Sequence, residues 1–122
     1  ILRISKVNLP SVRKNPVIGI VPILNGCNYF CTFCSTKLVK GKLFSYSMDA
    51  IREDVKEHLK AGCKEIWITS NDTGAYMAEQ GGKQKLVELI KNILSIPMDF
   101  KVRIGMMNPG NTITMLDELI EV

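Results

Sequence analysis

Apolar and polar positions change period along the chain in an ordered way. Val17 to Ile23 is a short, nearly continuous apolar run rich in β-branched residues, which predicts a strand buried on both faces and ended by a Gly26-Cys27 turn. From Ser47 the period lengthens: Met48, Ile51, Val55 and Leu59 recur at three- and four-residue spacings, while Arg52, Glu53, Lys56 and Lys60 fall off that face. This pattern predicts a helix capped by Ser47 and closed at Gly62. Glu65 to Thr69 reads as a second strand and Ser70 to Gly82 as a polar, glycine-bearing loop. Leu86, Leu89, Ile90, Ile93 and Leu94 form the stripe of a second helix, which Pro97 stops before a third strand over Phe100 to Met106. Asn108-Pro109-Gly110 reads as a turn, with Thr112 or Thr114 capping a last helix. The order β-α-β-α-β-α predicts an α/β fold of parallel strands with right-handed crossovers. In such folds the chemistry sits at the carboxyl ends of the strands.

Residues 1–16 carry two prolines and four basic groups without periodicity, so they read as a lead-in or linker from an upstream domain, with 17–122 as the ordered unit. The chain opens at Ile1, and its closing amphipathic segment has no stop signal, so it reads as an internal fragment of a longer protein. A length of 122 residues allows one domain at most, and 46% hydrophobic with 23% charged residues excludes a disordered chain. No apolar run approaches the roughly 20 residues that span a bilayer, and no secretory signal is visible, which predicts a cytoplasmic location with no membrane segment in this chain. The net charge of +4 is unevenly placed: seven basic groups (Arg3, Lys6, Arg13, Lys14, Lys37, Lys40 and Lys42) and no acid precede Asp49. Such a segment is more often a solvated face than a nucleic-acid contact.

The cysteines narrow the chemistry. Three of the four lie at Cys27-x-x-x-Cys31-x-x-Cys34, on the long loop after the first strand, and Cys63 is far off in sequence. An odd cluster in a chain of this class points to metal rather than to a disulfide framework. A structural zinc would need a fourth ligand, for which His58 and Cys63 are the candidates outside the cluster. Three thiolates also suit a four-iron, four-sulfide (4Fe-4S) cluster with one iron left open. Zinc, an iron-sulfur cluster and unligated thiols are the three readings that the residues alone support.

The segment Gly26-Cys27-Asn28-Tyr29-Phe30-Cys31-Thr32-Phe33-Cys34 resembles the signature of the radical S-adenosylmethionine (SAM) enzymes. The resemblance implies the first half of a partial (βα)6 barrel. It implies a cluster held by Cys27, Cys31 and Cys34, with SAM chelating the open iron and cleaved to a 5′-deoxyadenosyl radical. Phe33 would lie beside the adenine, and none of the cysteines would act as acid, base or nucleophile. Ser70, Asn71 and Asp72, at the end of the second strand, stand where the family holds the amino group of SAM; oxygen acceptors suit an ammonium there, although Asn-Asp-Thr-Gly is also ordinary turn chemistry.

Ser35 to Tyr46 is similar to the stretch that follows the cluster in methylthiotransferases, with Lys40-Gly41 where those enzymes usually show Arg-Gly, a change that loses the planar guanidinium fork. Asp72-Thr73-Gly74-Ala75-Tyr76 resembles the archaeal and eukaryotic branch that methylthiolates C2 of N6-threonylcarbamoyladenosine at position 37 of tRNA, with Met77 where that branch often has Gly. That resemblance implies a tRNA substrate, an electron donor and a sulfur donor. It also implies an upstream cluster domain, further barrel strands and an RNA-binding domain, so the 122 residues alone are expected to have no turnover. The alternatives are another radical SAM enzyme acting on a ribosomal protein or other substrate, and a zinc-stabilised nucleic-acid-binding module. Trp67 and Ile66 are expected in the core, Met106 and Met107 as packing, and Cys63 as a small buried hydrophobe.

Overall fold

Alternation in Glu65–Thr69 sends Ile66 and Ile68 to one face and Trp67 to the other, and this segment becomes the middle of the sheet. The computed structural model of the chain describes residues 5–9, 12, 15–80 and 84–122; Arg3, Pro10, Arg13, Lys14 and Gly82 lie outside the described residues. The elements in order are β1 (Ile18–Pro22), β2 (Leu24–Asn25), α1 (Thr36–Lys40), β3 (Phe44–Ser45), α2 (Met48–Lys60), β4 (Glu65–Thr69), α3 (Leu86–Leu94), β5 (Lys101–Ile104), α4 (Pro109–Ile113) and α5 (Leu116–Ile120). Strands β1, β4 and β5 form a parallel sheet in that order, pairing Ile20 with Trp67 and Trp67 with Arg103. β2 and β3 pair antiparallel beyond the carboxyl end of β1. The α/β class and the parallel strands expected from the periodicity are present.

One face of the sheet is covered. Val21, Ile66 and Ile68 pack with Ile51, Val55 and Leu59 of α2 and with Leu86, Leu89, Ile90 and Ile93 of α3, all buried. The other face is open: Ile20 is 56% exposed, Trp67 is half-buried and Arg103 exposed. This corrects the expectation that the first strand is buried on both faces. A run of apolar residues resembles a strand between two layers, yet only alternate residues meet α2. Trp67 likewise leaves the core and stands on the open face, while Ile66 is buried as expected.

The helix ends follow local chemistry. Ser47 Oγ accepts from the Ala50 N–H at 3.3 Å. At the other end the Cys63 N–H donates to His58 O and the Gly62 N–H to Leu59 O, with Gly62 at φ 97°, a Schellman arrangement that only a glycine adopts without strain. Arg52 bonds Asn92 Oδ1 at 2.8 Å, Ser95 Oγ at 2.9 Å and the Asn92 carbonyl, clamping α2 to the carboxyl end of α3. The stripe of α3 includes Val87 rather than Leu94, which is 43% exposed. Asn108 caps α4 through a bond from the Gly110 N–H, so the expected turn is a helix start with Pro109 in the first turn, and Met115 rather than a threonine precedes α5.

Part of the expected lead-in joins the fold. Val7 is buried in the core, and Asn8 Nδ2 donates to Ala50 O at 3.3 Å. The polar segment after β4 also packs inward, as two 3-10 turns at Thr73–Ala75 and Ala78–Gln80. Tyr76, fully buried, donates its hydroxyl to Tyr46 O at 2.7 Å, and burial pushes its pKa up, so the ring stays neutral. Tyr76→Phe leaves that carbonyl without its donor and is expected to cost about 1–3 kcal/mol of stability, read from the urea midpoint.

Candidate functional site

The long loop between β2 and β3 carries Cys27, Cys31 and Cys34. Its two ends are held together by the pairs Leu24 with Ser45 and Asn25 with Phe44. Gly26 sits at φ 84° against the Lys42 carbonyl, where a Cβ would overlap backbone, so the residue before the first cysteine must be glycine. All three thiols are free; Cys27 and Cys31 are half-buried and Cys34 is exposed. A turn from the Cys34 N–H to Cys31 O at 3.1 Å brings the second and third together. Cys34 Sγ and Thr36 Oγ1 are paired at 3.2 Å, and donation from the hydroxyl and backbone N–H of Thr36 to the sulfur holds its pKa below the ordinary thiol value, toward a thiolate.

The surroundings are basic and aromatic. Lys37 Nζ donates to Asn28 O at 3.2 Å and lies 3.4 Å from the centre of the Phe30 ring. A cavity of about 570 Å³ opens beside Cys27, lined also by Asn28, Phe30, Lys37, Lys42, Phe44 and Glu79. Phe33 is 91% exposed on the same loop. Among the described residues no three His, Cys, Asp or Glu side chains converge on a metal position, so the thiols share a loop and not yet a point.

The donor set decides between the metals. Cys63 is 2% exposed and precedes the amino end of β4, whereas the cysteine loop leaves from the carboxyl side of β1; in a parallel sheet these are opposite edges. His58 is buried on α2 against β1 beside Gly19. Neither candidate fourth ligand for zinc shares the loop's edge. Three thiols on one loop, with no fourth His or Cys at that edge among the described residues, fit a cluster with one open iron.

The second loop at this edge follows β4. Ser70 is half-buried and its Oγ accepts from the Asp72 N–H at 3.1 Å; Asn71 is exposed. Asp72 is 2% exposed, with Oδ1 accepting from the Asn108 N–H at 3.0 Å and Oδ2 from Asn111 Nδ2 at 2.7 Å. Gln84 Nε2 donates to Asn111 Oδ1 at 3.0 Å, and Thr73 Oγ1 donates to Gly105 O at 2.9 Å. The carboxylate thus fastens the loop after β4 to the loop after β5. The cysteine loop joins the same assembly: Tyr29 Oη rests on Gly110, leaving no room for a Cβ there. Sequence reasoning missed Tyr29, Asn108, Gly110 and Asn111; Asn108-Pro109, an N-cap residue followed by a first-turn proline, was the signal available for one of them.

The chain matches the Radical SAM superfamily over residues 21–122. It is 43% identical to a probable threonylcarbamoyladenosine tRNA methylthiotransferase of Methanothermobacter thermautotrophicus over 116 residues, 95% of this chain and 27% of that protein. It is 48% identical to the Archaeoglobus fulgidus protein of the same name, covering 89% of this chain and 25% of that one. With the threonylcarbamoyladenosine tRNA methylthiotransferase of Drosophila melanogaster it shares 41% identity, over 94% of this chain and 21% of the relative. The chain spans about a quarter of the length of these curated relatives. A three-thiol loop at the carboxyl edge of a parallel sheet, matched over most of its length, makes this chain a member of the radical SAM superfamily.

Proposed function

We propose that the chain is the first half of the barrel of a tRNA methylthiotransferase that inserts a methylthio group at C2 of N6-threonylcarbamoyladenosine at position 37. The observation that carries this reading is 43% identity across 95% of the chain to a relative bearing that name. The cofactors of the superfamily are a 4Fe-4S cluster and SAM. When bound, they supply the 5′-deoxyadenosyl radical that takes hydrogen from C2 and the methyl of the new group.

Cys27, Cys31 and Cys34 hold the cluster in this reading. Thr36 keeps Cys34 ready to lose its proton, and Phe33 covers the adenine. Asp72 has both oxygens engaged, so Ser70 and Asn71 are left to meet the amino group, while Asp72 fixes the loop that presents them. Lys37 steadies the cysteine loop through Asn28 and Phe30, and the exposed Lys40 and Lys42 face anionic groups in this reading. The whole enzyme would complete a (βα)6 barrel, draw on separate electron and sulfur donors, and work in the cytoplasm with tRNA as partner. Among the described residues no helix is long and apolar enough to cross a membrane.

Mass spectrometry of tRNA nucleosides, with and without the gene, is expected to show the methylthio derivative of threonylcarbamoyladenosine only when the gene is present; its persistence in the deletion strain overturns the substrate. Cys31→Ala is expected to abolish four-iron loading on anaerobic reconstitution, read by iron content and by paramagnetic resonance after reduction. Asp72→Ala strands the Asn108 N–H and the Asn111 amide, with an expected stability loss of about 2 kcal/mol and no change in the number of cysteine ligands.

A further inference from the structure

The open face of the sheet holds a cation with a fixed plane. Ile20, Trp67 and Arg103 are register partners across β1, β4 and β5, on the face the helices leave bare. The Arg103 guanidinium carbon lies 4.4 Å from the centre of the Trp67 ring. Trp67 in turn donates from Nε1 to Glu65 Oε1 at 2.6 Å, which locks the ring under the cation. Arg103 forms no ion pair among the described residues. Beside it a cavity of about 190 Å³ is lined by Trp67, Thr69, Arg103, Gly105 and Met106, at the carboxyl edge from which the cysteine loop also rises.

These contacts specify a chemistry. A guanidinium keeps its charge at any working pH, and stacking one face on an indole leaves its N–H edge unspent. That edge presents parallel donors, which fit the two oxygens of a carboxylate. Glu65, two residues before Trp67, accepts the indole N–H and lies in register with Lys101 rather than with Arg103.

We propose that Arg103, held flat by Trp67, recognises a carboxylate at the carboxyl edge of the sheet. Two carboxylates reach this edge in the reaction: the amino-acid end of SAM and the threonyl group of the modified adenosine. The first follows from membership of the superfamily alone; the second rests on the function proposed above.

The test compares the cluster-loaded protein with Arg103→Gln and Arg103→Lys. Because Arg103 is exposed, both variants should keep the fold, which equal cluster absorbance verifies. One arm measures SAM binding by equilibrium dialysis. The other measures binding of an anticodon stem-loop carrying threonylcarbamoyladenosine, the same stem-loop with its threonyl carboxylate as the methyl ester, and one with plain adenosine. Arg103→Gln is expected to weaken one of the two carboxylate ligands about tenfold or more, to leave the ester stem-loop unchanged, and to be only partly rescued by Lys, which lacks the fork. The arm that responds names the source. A loss under about twofold for both ligands overturns the inference, since a charge-assisted bond is worth more than that. So does an equal loss for acid and ester stem-loops with SAM binding intact, which would mean that the guanidinium meets RNA phosphates. If the protein as it stands binds the modified and plain stem-loops equally, the substrate reading fails by itself, and the SAM arm alone upholds or overturns the role of Arg103 by the same limits.

Discussion

Burial of Ile66 and Ile68 beneath α2 and α3 is the interaction on which the site depends. Each fully buried side chain of this size contributes about 1.5–3 kcal/mol, and together they hold β4 as the middle strand, with β1 and β5 in register on either side. Parallel pairing then puts three chain exits along one edge: the cysteine loop, the Asp72 loop and the Asn108 loop. The edge is knitted around the buried Asp72 carboxylate. Asp72 joins the second exit to the third, and Tyr29 on Gly110 joins the third to the first. Apolar packing sets where the exits lie, and the Asp72 hydrogen bonds and the Tyr29 contact set how they face one another.

The uneven charge along the sequence acquires a physical division. Lys37 is committed within its own loop, to a carbonyl and an aromatic face. Lys42 borders the cavity beside Cys27, and Lys40 is exposed. A cluster core of formal charge +2 with three thiolates would carry about −1, and cations beside it would lower the cost of holding it out of water. Lys6 stands on the exposed surface, apart from that cavity.

Much of the fold was legible because local signals agreed. Glu65–Thr69 matches its expected strand residue for residue, since alternation, β-branched residues and the preceding Gly62 all point the same way. The helix from Ser47 was legible for the same reason. The segment after β4 was not, because polar residues read as solvated loop; Asp72 and Thr73 are instead satisfied by partners more than thirty positions away, a pairing that no local window contains. Ile20 and Trp67 were misjudged in one direction, since an apolar strand residue is usually covered and among the described residues no second layer lies on the open face. The cysteine spacing placed the three thiols on one loop, but not the Thr36 contact at Cys34.

Gly26 has a consequence for assembly. By lying against the Lys42 carbonyl while β2 pairs with β3, it closes the base of the cysteine loop through backbone contacts alone. The entropy of joining the ends of a flexible loop grows as about (3/2)RT ln n, and here that cost is met by backbone pairing during folding. Cluster insertion then has to order only the tip of a tethered loop. Such a stem would raise the affinity of the three-thiol loop for a cluster without contributing a ligand.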